Sequence, residues 1–414
     1  MTWLPKSVVC LRYYDLRRFR SDLVTAVILA LQVFPIALAI AIASGVPPVH
    51  GVYCAALASF VSCALGDSKI RVSSPNIIFV AVASTIVSRE GVLGLSFSTL
   101  LAGVLLMGFG ALRFGAAIRA LPRAVVLGFS TGMAVLVVSQ QVHPLAGIDS
   151  QILAPQVPWG VPRLLRDVIA IHPTSIILAL ATLMMIVVSR KAISHFPTGL
   201  LAMTLGALLV KYGHIPGRTI ADFYNSHLNL FTLYAHGPFR LGLLWNVLGQ
   251  ALALAVLVAT ESLQALGLAS AFTGEEINPN GELFIHGGVN IAAALAGGLP
   301  ASGISSFTSE NARVGAQTPL AGIMQAAFLL FLLVLLAPLF PFIPIAVISG
   351  IVLASVCSMA RWPDISQLIR GPRLELGGWL ATFLLTVAAE LPVAIAVGML
   401  IALFLYGREA GTPV

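Results

Sequence analysis

Residues 70–78 read Ile70-Arg71-Val72-Ser73-Ser74-Pro75-Asn76-Ile77-Ile78, and residues 297–308 read Gly297-Gly298-Leu299-Pro300-Ala301-Ser302-Gly303-Ile304-Ser305-Ser306-Phe307-Thr308. Each is a short polar stretch broken by proline or glycine. In a soluble protein both would be surface loops. Here they interrupt a chain of 414 residues that is 58% hydrophobic and only 9% charged, with a mean hydropathy of +0.97. Soluble domains carry about a quarter charged residues, because they must solvate their surface. With so few charges, most of this chain must have a bilayer as its solvent. Irregular backbone is tolerated at bilayer depth only inside protein or beside a water-filled cavity. The two stretches are therefore either loops near the surface or the walls of an internal site.

Their positions favour the second reading. A helical span needs about 20 apolar residues, and apolar runs between glycine and proline punctuation give fourteen segments. The first half holds 22–44, 48–65, 70–89, 91–112, 122–142, 172–189 and 196–213. The second holds 241–272, 283–299, 300–318, 319–340, 344–360, 374–391 and 392–407. The broken stretches open the third segment of each half, segments 3 and 10. Because seven is odd, the two halves, 22–214 and 241–408, are expected to sit inverted in the membrane. Interrupted segments at matching places in two halves point to a transport site near the midplane. The predicted fold is an all-α polytopic membrane protein of 14 transmembrane segments in two inverted seven-span repeats. Short strands lead into half-helices in segments 3 and 10.

The charges give the orientation. With the N-terminus inside, 17 of the 23 lysines and arginines fall in predicted cytoplasmic segments, as the positive-inside rule requires. The other six are Arg89, Arg163, Arg166, Lys211, Arg218 and Arg240. Trp159, Trp245, Trp362 and Trp379 stand near predicted span ends, where an aromatic belt forms. Residues 1–21 mix Trp3, Leu4 and Tyr13 with Lys6, Arg12, Arg17, Arg18 and Arg20. They lack the apolar core of a cleavable leader and read as a basic amphipathic segment on the cytoplasmic face. The net charge of +7 sits between apolar runs, so it does not indicate nucleic acid. Cys10, Cys54, Cys63 and Cys357 form no CxxC pair and read as buried small hydrophobes. The histidines show no metal-ligand spacing, and His143, His172, His214 and His286 stand beside prolines or glycines, as in loops. No cofactor is expected beyond a coupling H+ or Na+, and the absence of GxSxG or paired catalytic aspartates sets an intramembrane enzyme aside.

If both broken segments are strands followed by half-helices, two helix N-termini meet near the membrane centre. Each would bring free N–H donors and about half a positive charge, together enough to hold a small anion. Asn76 stands at the start of the first half-helix, and Ser305 and Ser306 at the start of the second. Their side chains either donate to an anion or simply cap the helices, as serine and asparagine do regardless of function. Glu261, in Leu257-Val258-Ala259-Thr260-Glu261-Ser262-Leu263, lies deep in an apolar helix. An ionisable group there is costly and by default functional. It would carry a proton, coordinate Na+, or hold a partner helix. Glu390, near an outer helix end, and Glu310, three residues before Arg313 and suited to a local pair with it, are weaker candidates.

Several of these stretches, with their neighbours, resemble the sulfate permease (SulP) family of anion transporters, solute-carrier family 26 in animals. The first is Phe34-Pro35-Ile36-Ala37-Leu38 with Gly45-Val46-Pro47-Pro48 and Gly51-Val52-Tyr53; the second is Val72-Ser73-Ser74-Pro75-Asn76. A third runs from Glu261-Ser262-Leu263 through Thr273-Gly274, Asn280, Glu282-Leu283 and Asn290-Ile291 to Gly297-Gly298-Leu299-Pro300-Ala301. A fourth is Thr308, Asn311, Arg313, Gly315, Thr318-Pro319 and Gly322. The resemblance implies a core domain from 22–113 and 241–340, a gate domain from 122–214 and 344–408, elevator-type alternating access, and a homodimer. By position it implies that Ile36, Ile40, Asn76, Ser306 and Phe307 line the anion site and that Glu261 is the cation-coupling acid. Three features depart from the family. Many members carry a polar or aromatic residue where this chain has Ile36 and Ile40, and many carry arginine where it has Phe307. Members usually continue into a STAS domain; here Tyr406 to Val414 follow the last segment, so a chain without that domain is expected.

The function expected is H+- or Na+-coupled transport of bicarbonate, sulfate or a short carboxylate across the plasma (inner) membrane, with both termini cytoplasmic. The alternatives are a nucleobase:cation symporter of the same seven-plus-seven fold, which would use carboxylates on segments 8 and 10, and an uncoupled anion channel or exchanger.

Overall fold

A computed structural model of the chain describes residues 5–148, 172–192, 195–213, 217–224, 241–276, 278–359, 362–388 and 397. Segment 14 apart from residue 397, Glu390, Trp159 and the ends of the chain lie outside the described residues. Segments 1 to 13 are all found. Segments 1 and 2 are the helices Leu16–Ala43 and Pro48–Leu65. Segment 3 is a strand, β1 (Ser73–Pro75), and a 3-10 turn, Ile77–Phe79, that runs into the helix Val80–Ala111. That helix is broken at Gly91, whose φ of 72° a side chain would resist, so segment 4 begins where the sequence placed its start. Segments 5, 6 and 7 are Arg123–Ala146, Pro173–Ala192 and Thr198–Gly213. Segments 8 and 9 are Leu241–Thr273 and Pro279–Ala296. Segment 10 is a strand, β2 (Ala301–Gly303), and the helix Ser305–Val314. Segments 11, 12 and 13 are Leu320–Leu336, Ile345–Met359 and Arg373–Ala388.

Among the described residues, seven helices are long and apolar enough to cross a membrane, and Thr198–Gly213, Ile345–Cys357 and Glu375–Ala388 are shorter apolar helices. Large apolar side chains such as Ile177, Met184, Phe331 and Val334 point outward, as a lipid-facing surface requires. Inside, the segments pack in two groups. Segments 1 to 4 pack on segments 8, 9 and 11, while segment 5 packs on 13 and segment 6 on 12. The groups meet where segments 7 and 12 touch segment 1, and where segment 5 touches the turn at Ile77–Phe79 and the helix that follows it. Since lipid offers no hydrophobic drive between helices, close backbone approach must supply the packing. At the crossing of segments 4 and 9, a Cβ on Gly103 would meet the Gly287 carbonyl oxygen at 2.8 Å, and one on Gly287 would meet that of Gly103 at 2.7 Å. Only glycine fits either position.

Four sequence expectations need correction. Segment 1 starts at Leu16, not 22, capped by Asp15, whose carboxylate accepts the Arg18 N–H at 2.8 Å. The amphipathic stretch is thus a short helix, Lys6–Leu11, followed directly by the span. Segment 9 starts at Pro279, not 283, because Glu282 is paired with Arg71 and both are buried. His143 and His286 lie buried within helices rather than in loops. Cys357 is exposed, whereas Cys10, Cys54 and Cys63 are buried as expected.

Asp22, fully buried in segment 1, ties the two halves together. Its carboxylate accepts the Gln317 N–H at 2.8 Å, the Thr318 N–H at 3.2 Å and the Thr318 hydroxyl at 2.5 Å. It therefore holds the turn that leads into segment 11. Hydrogen bonds to a charged group contribute about 1.5–3 kcal/mol each, and their loss leaves buried donors unpaired. Asp22→Ala is expected to lower stability by about 3 kcal/mol, read as an earlier melting transition in detergent; an unchanged transition would show that water replaces the carboxylate at no cost.

Candidate functional site

β1 and β2 pair antiparallel, with Ser73 opposite Gly303, Ser74 opposite Ser302 and Pro75 opposite Ala301. A two-stranded ribbon this short leaves polar backbone that must be satisfied in place. Neighbouring side chains do so. Asn290 brackets Ala301, donating to its carbonyl at 2.8 Å and accepting its N–H at 3.0 Å. The Ser262 hydroxyl accepts the Gly303 N–H at 3.2 Å, and the Thr308 hydroxyl accepts the Val72 N–H at 3.3 Å. Asn311 donates to the Ile70 carbonyl at 2.7 Å. On the other side of β1, Ser73 Oγ lies 3.2 Å from His286 Nε2, and His286 Nδ1 lies 3.0 Å from Glu282, the partner of Arg71. Ser262, Asn290, Thr308 and Asn311 had entered the sequence reading only as parts of a family pattern. Their common signal is a polar residue within or beside an apolar span.

The two half-helix tips are not equivalent, which corrects the expectation of two matched amide ends. Asn76 closes the first on itself: its side-chain oxygen accepts the Ile78 N–H at 3.4 Å, and its carbonyl accepts the Phe79 N–H at 3.0 Å. The second tip is open. Its N-cap is Ile304, which has no side-chain acceptor, and its first intrahelical bond runs from Thr308 N–H to the Ile304 carbonyl. Ser305, Ser306 and Phe307 therefore occupy the first turn, and neither serine caps the helix. Their amides belong to the set that a helix start leaves without intrahelical partners.

This open tip faces a cavity of about 830 Å³. Ile36, Ile40, Asn76, Glu261, Ser305, Ser306 and Phe307, the whole of the expected site, line it. The chain brings them together from segments 1, 3, 8 and 10. Ser306 is exposed to the space, whereas Ile40 and Phe307 are largely buried and reach only its wall. Asn76 joins the first tip to the acid: its Nδ2 donates to Glu261 Oε2 at 3.2 Å and to Ser302 Oγ at 3.3 Å. Since Asn76 Oδ1 is held by Ile78, the amide must present its N–H side to Glu261.

Glu310 also lines the cavity, but it does not form the expected local pair with Arg313. Its Oε1 lies 2.5 Å from His195 Nδ1 and accepts from Gln32 Nε2 at 3.4 Å. Arg119, Arg123, Arg190 and Arg313, all from segments predicted to be cytoplasmic, line the same cavity. Arg123 is engaged by Asp364 and Gln367, and Arg190 donates to the Ala354 carbonyl at 3.3 Å.

Comparison with known proteins places this geometry. The Sulfate permease family profile matches residues 19–382. YvdB of Bacillus subtilis, named provisionally as a sulfate transporter, is 27% identical over 409 residues, which span 96% of this chain and 75% of YvdB. The bicarbonate transporter BicA of Picosynechococcus is 28% identical over 408 residues, 93% of this chain and 70% of BicA. The structure of murine solute carrier 26 family member A9, an anion transporter solved in the inward-facing state, superposes with a TM-score of 0.85 at 15% identity. That match covers 98% of this chain and 71% of the murine protein. At this identity the likeness carries the fold, and the fold is the pair of inverted seven-segment repeats expected from the sequence.

Proposed function

The chain belongs to the sulfate permease family of anion transporters, which are membrane carriers and not enzymes, and from that premise we propose that it is a secondary active transporter of a small anion, coupled to H+ or Na+. The observation that carries the proposal is the open amide tip of segment 10, facing a cavity that also holds Asn76 and Glu261. Ser305 and Ser306 bind the anion, with Asn76 lining the site and tying it to Glu261; Ile36, Ile40 and Phe307 form the apolar wall; Glu261 carries the coupling ion.

Charge matching narrows the anion. One helix tip offers about half a positive charge, the other tip is closed by Asn76, and Phe307 stands where a cation would add a full one. A monovalent anion, bicarbonate or a short monocarboxylate, matches the tip itself better than sulfate, whose second charge the tip does not offset.

The core domain, 22–113 and 241–340, moves as a body against the gate domain, 122–214 and 344–408. The ribbon, Asn290 and Asp22 lock the first group internally, while among the described residues the groups touch where segments 7 and 12 meet segment 1, where segments 5 and 12 meet the turn at Ile77–Phe79, where segment 5 meets the helix after that turn, and at His195 and Glu310. The arginine-lined mouth is the cytoplasmic one, so the cavity described is inward-open. The protein works in the plasma membrane with its N-terminus inside, as a homodimer.

Uptake of labelled bicarbonate, acetate, sulfate, succinate and uracil into proteoliposomes, each under an H+ or a Na+ gradient, tests this. Gradient-driven uptake of a monovalent anion is expected, at least about tenfold above sulfate, a difference of about 1.4 kcal/mol. Uracil uptake would replace the proposal with a nucleobase carrier, and ion-independent anion current with a channel.

A further inference from the structure

We propose that His195 and Glu310 form a proton-operated latch between gate and core, which holds the cavity open to the cytoplasm while the imidazole is protonated. The inference rests on the core-against-gate reading above and adds a proton site distinct from Glu261. Glu310 lies on the helix Ser305–Val314, the half-helix whose open tip faces the anion cavity. His195 is an exposed residue in the connection between segments 6 and 7, next to Phe196, which lines the cavity. The two meet at 2.5 Å although 115 positions separate them. Beside them Gly199 seats the start of segment 7 against Pro35 of segment 1, where an added Cβ would stand 3.2 Å from Pro35 Cγ. Any sliding of the core past the gate must break this pair.

The chemistry suits a switch. The His195 side chain is 43% exposed, so protons from the surrounding water reach it, whereas that of Glu310 is 14% exposed. Imidazole is the side chain whose charge changes between about pH 5 and 8. An imidazolium–carboxylate bond is the stronger, charge-assisted form, so a proton on His195 favours the conformation that contains the pair. Loss of that proton weakens it.

The surroundings set the balance. Gln32 on segment 1 donates to Glu310 at 3.4 Å. Arg119 and Arg123 before and on segment 5, Arg190 on segment 6 and Arg313 on segment 10 line the same cavity and oppose a further positive charge; Glu261 on segment 8 lines it also. Arg123 is neutralised by Asp364, and Arg190 is turned to a backbone carbonyl. Glu310 is the acid in contact with the imidazole.

The test reads the opening itself, without substrate. A cysteine is placed on the gate wall by Ser130→Cys, a position that lines the cavity, in a Cys357→Ser background that removes the exposed native thiol. Its modification by a membrane-impermeant maleimide from the cytoplasmic side is followed from about pH 6 to about pH 8. His195→Arg, charged throughout this range, is the reference, and dividing by its rate cancels the ionisation of the thiol. The normalised rate with His195 present is expected to fall at least threefold as the pH rises. In His195→Gln and in Glu310→Gln it is expected to be low and flat. A normalised rate with His195 present that does not change with pH overturns the latch, as does an equal fall in His195→Gln. Anion uptake by the same proteoliposomes reports separately on the transport reading, so failure of one is distinguishable from failure of the other.

Discussion

Proteoliposomes carrying Glu261→Gln are expected to equilibrate the anion but no longer to accumulate it. Glutamine keeps the size of the side chain and removes the only part that can hold a proton or a sodium ion tightly, the carboxylate. For one proton per monovalent anion, a gradient of about one pH unit stores about 1.4 kcal/mol and supports about a tenfold concentration ratio. In the variant that ratio should fall to about one. Exchange of labelled for unlabelled anion should persist, because the amide tip at Ser305 and Ser306 is untouched. The contact from Asn76 Nδ2 to Glu261 Oε2 gives the coupling a physical path. The same asparagine closes the first half-helix and lines the anion cavity, so a change of charge at Glu261 alters what Asn76 presents to the anion. Tenfold accumulation by Glu261→Gln would remove Glu261 from the coupling mechanism, and loss of exchange along with accumulation would make it a structural residue.

The parts of this molecule that were legible in the sequence are those written locally. Gly91 breaks a helix where two apolar runs abut, and Pro75, Pro300 and Gly303 mark strands because they deny helix over a few consecutive residues. That the two stretches meet could be anticipated from the inversion; their pairing as an antiparallel ribbon is seen only in the structure. Features set by distant partners were not legible. Asp22 looked like the polar edge of the first span, yet it caps a turn about 295 positions away. Glu282 looked like a residue outside its helix; a buried Arg71 lets it lie inside. For Glu310, helical spacing offers only Arg313, and the actual partner, His195, comes from the other half of the chain. The inequality of the two amide tips was hidden for a different reason. Asparagine is both a good cap and a good ligand, and only the direction of its amide shows that Asn76 closes its own tip, while Ile304, which has no acceptor to offer, leaves the second open.

That inequality makes Ser306→Trp the sharper of two tests at the binding site: it should abolish anion binding without unfolding the protein. Ser306 is the second residue of its helix, is exposed to the cavity and faces the gap between the tips. Tryptophan has about the helix propensity of serine. Since the substitution breaks no core contact, its effect on stability should stay within about 0.5 kcal/mol. An indole, with roughly 150–250 Å² of surface, would cover the open amides and exclude water and anion from them. Affinity should fall at least about tenfold, or about 1.4 kcal/mol, measured by equilibrium binding to the detergent-solubilised protein. Ser306→Ala separates backbone from side chain. If the amides hold the anion, losing the hydroxyl should cost no more than one neutral hydrogen bond, about 0.5–1.5 kcal/mol. A loss in Ser306→Ala as large as that in Ser306→Trp would make the hydroxyl the main ligand. Unchanged affinity in Ser306→Trp would move the anion away from the segment 10 tip altogether, because no anion could reach those amides past an indole at their centre.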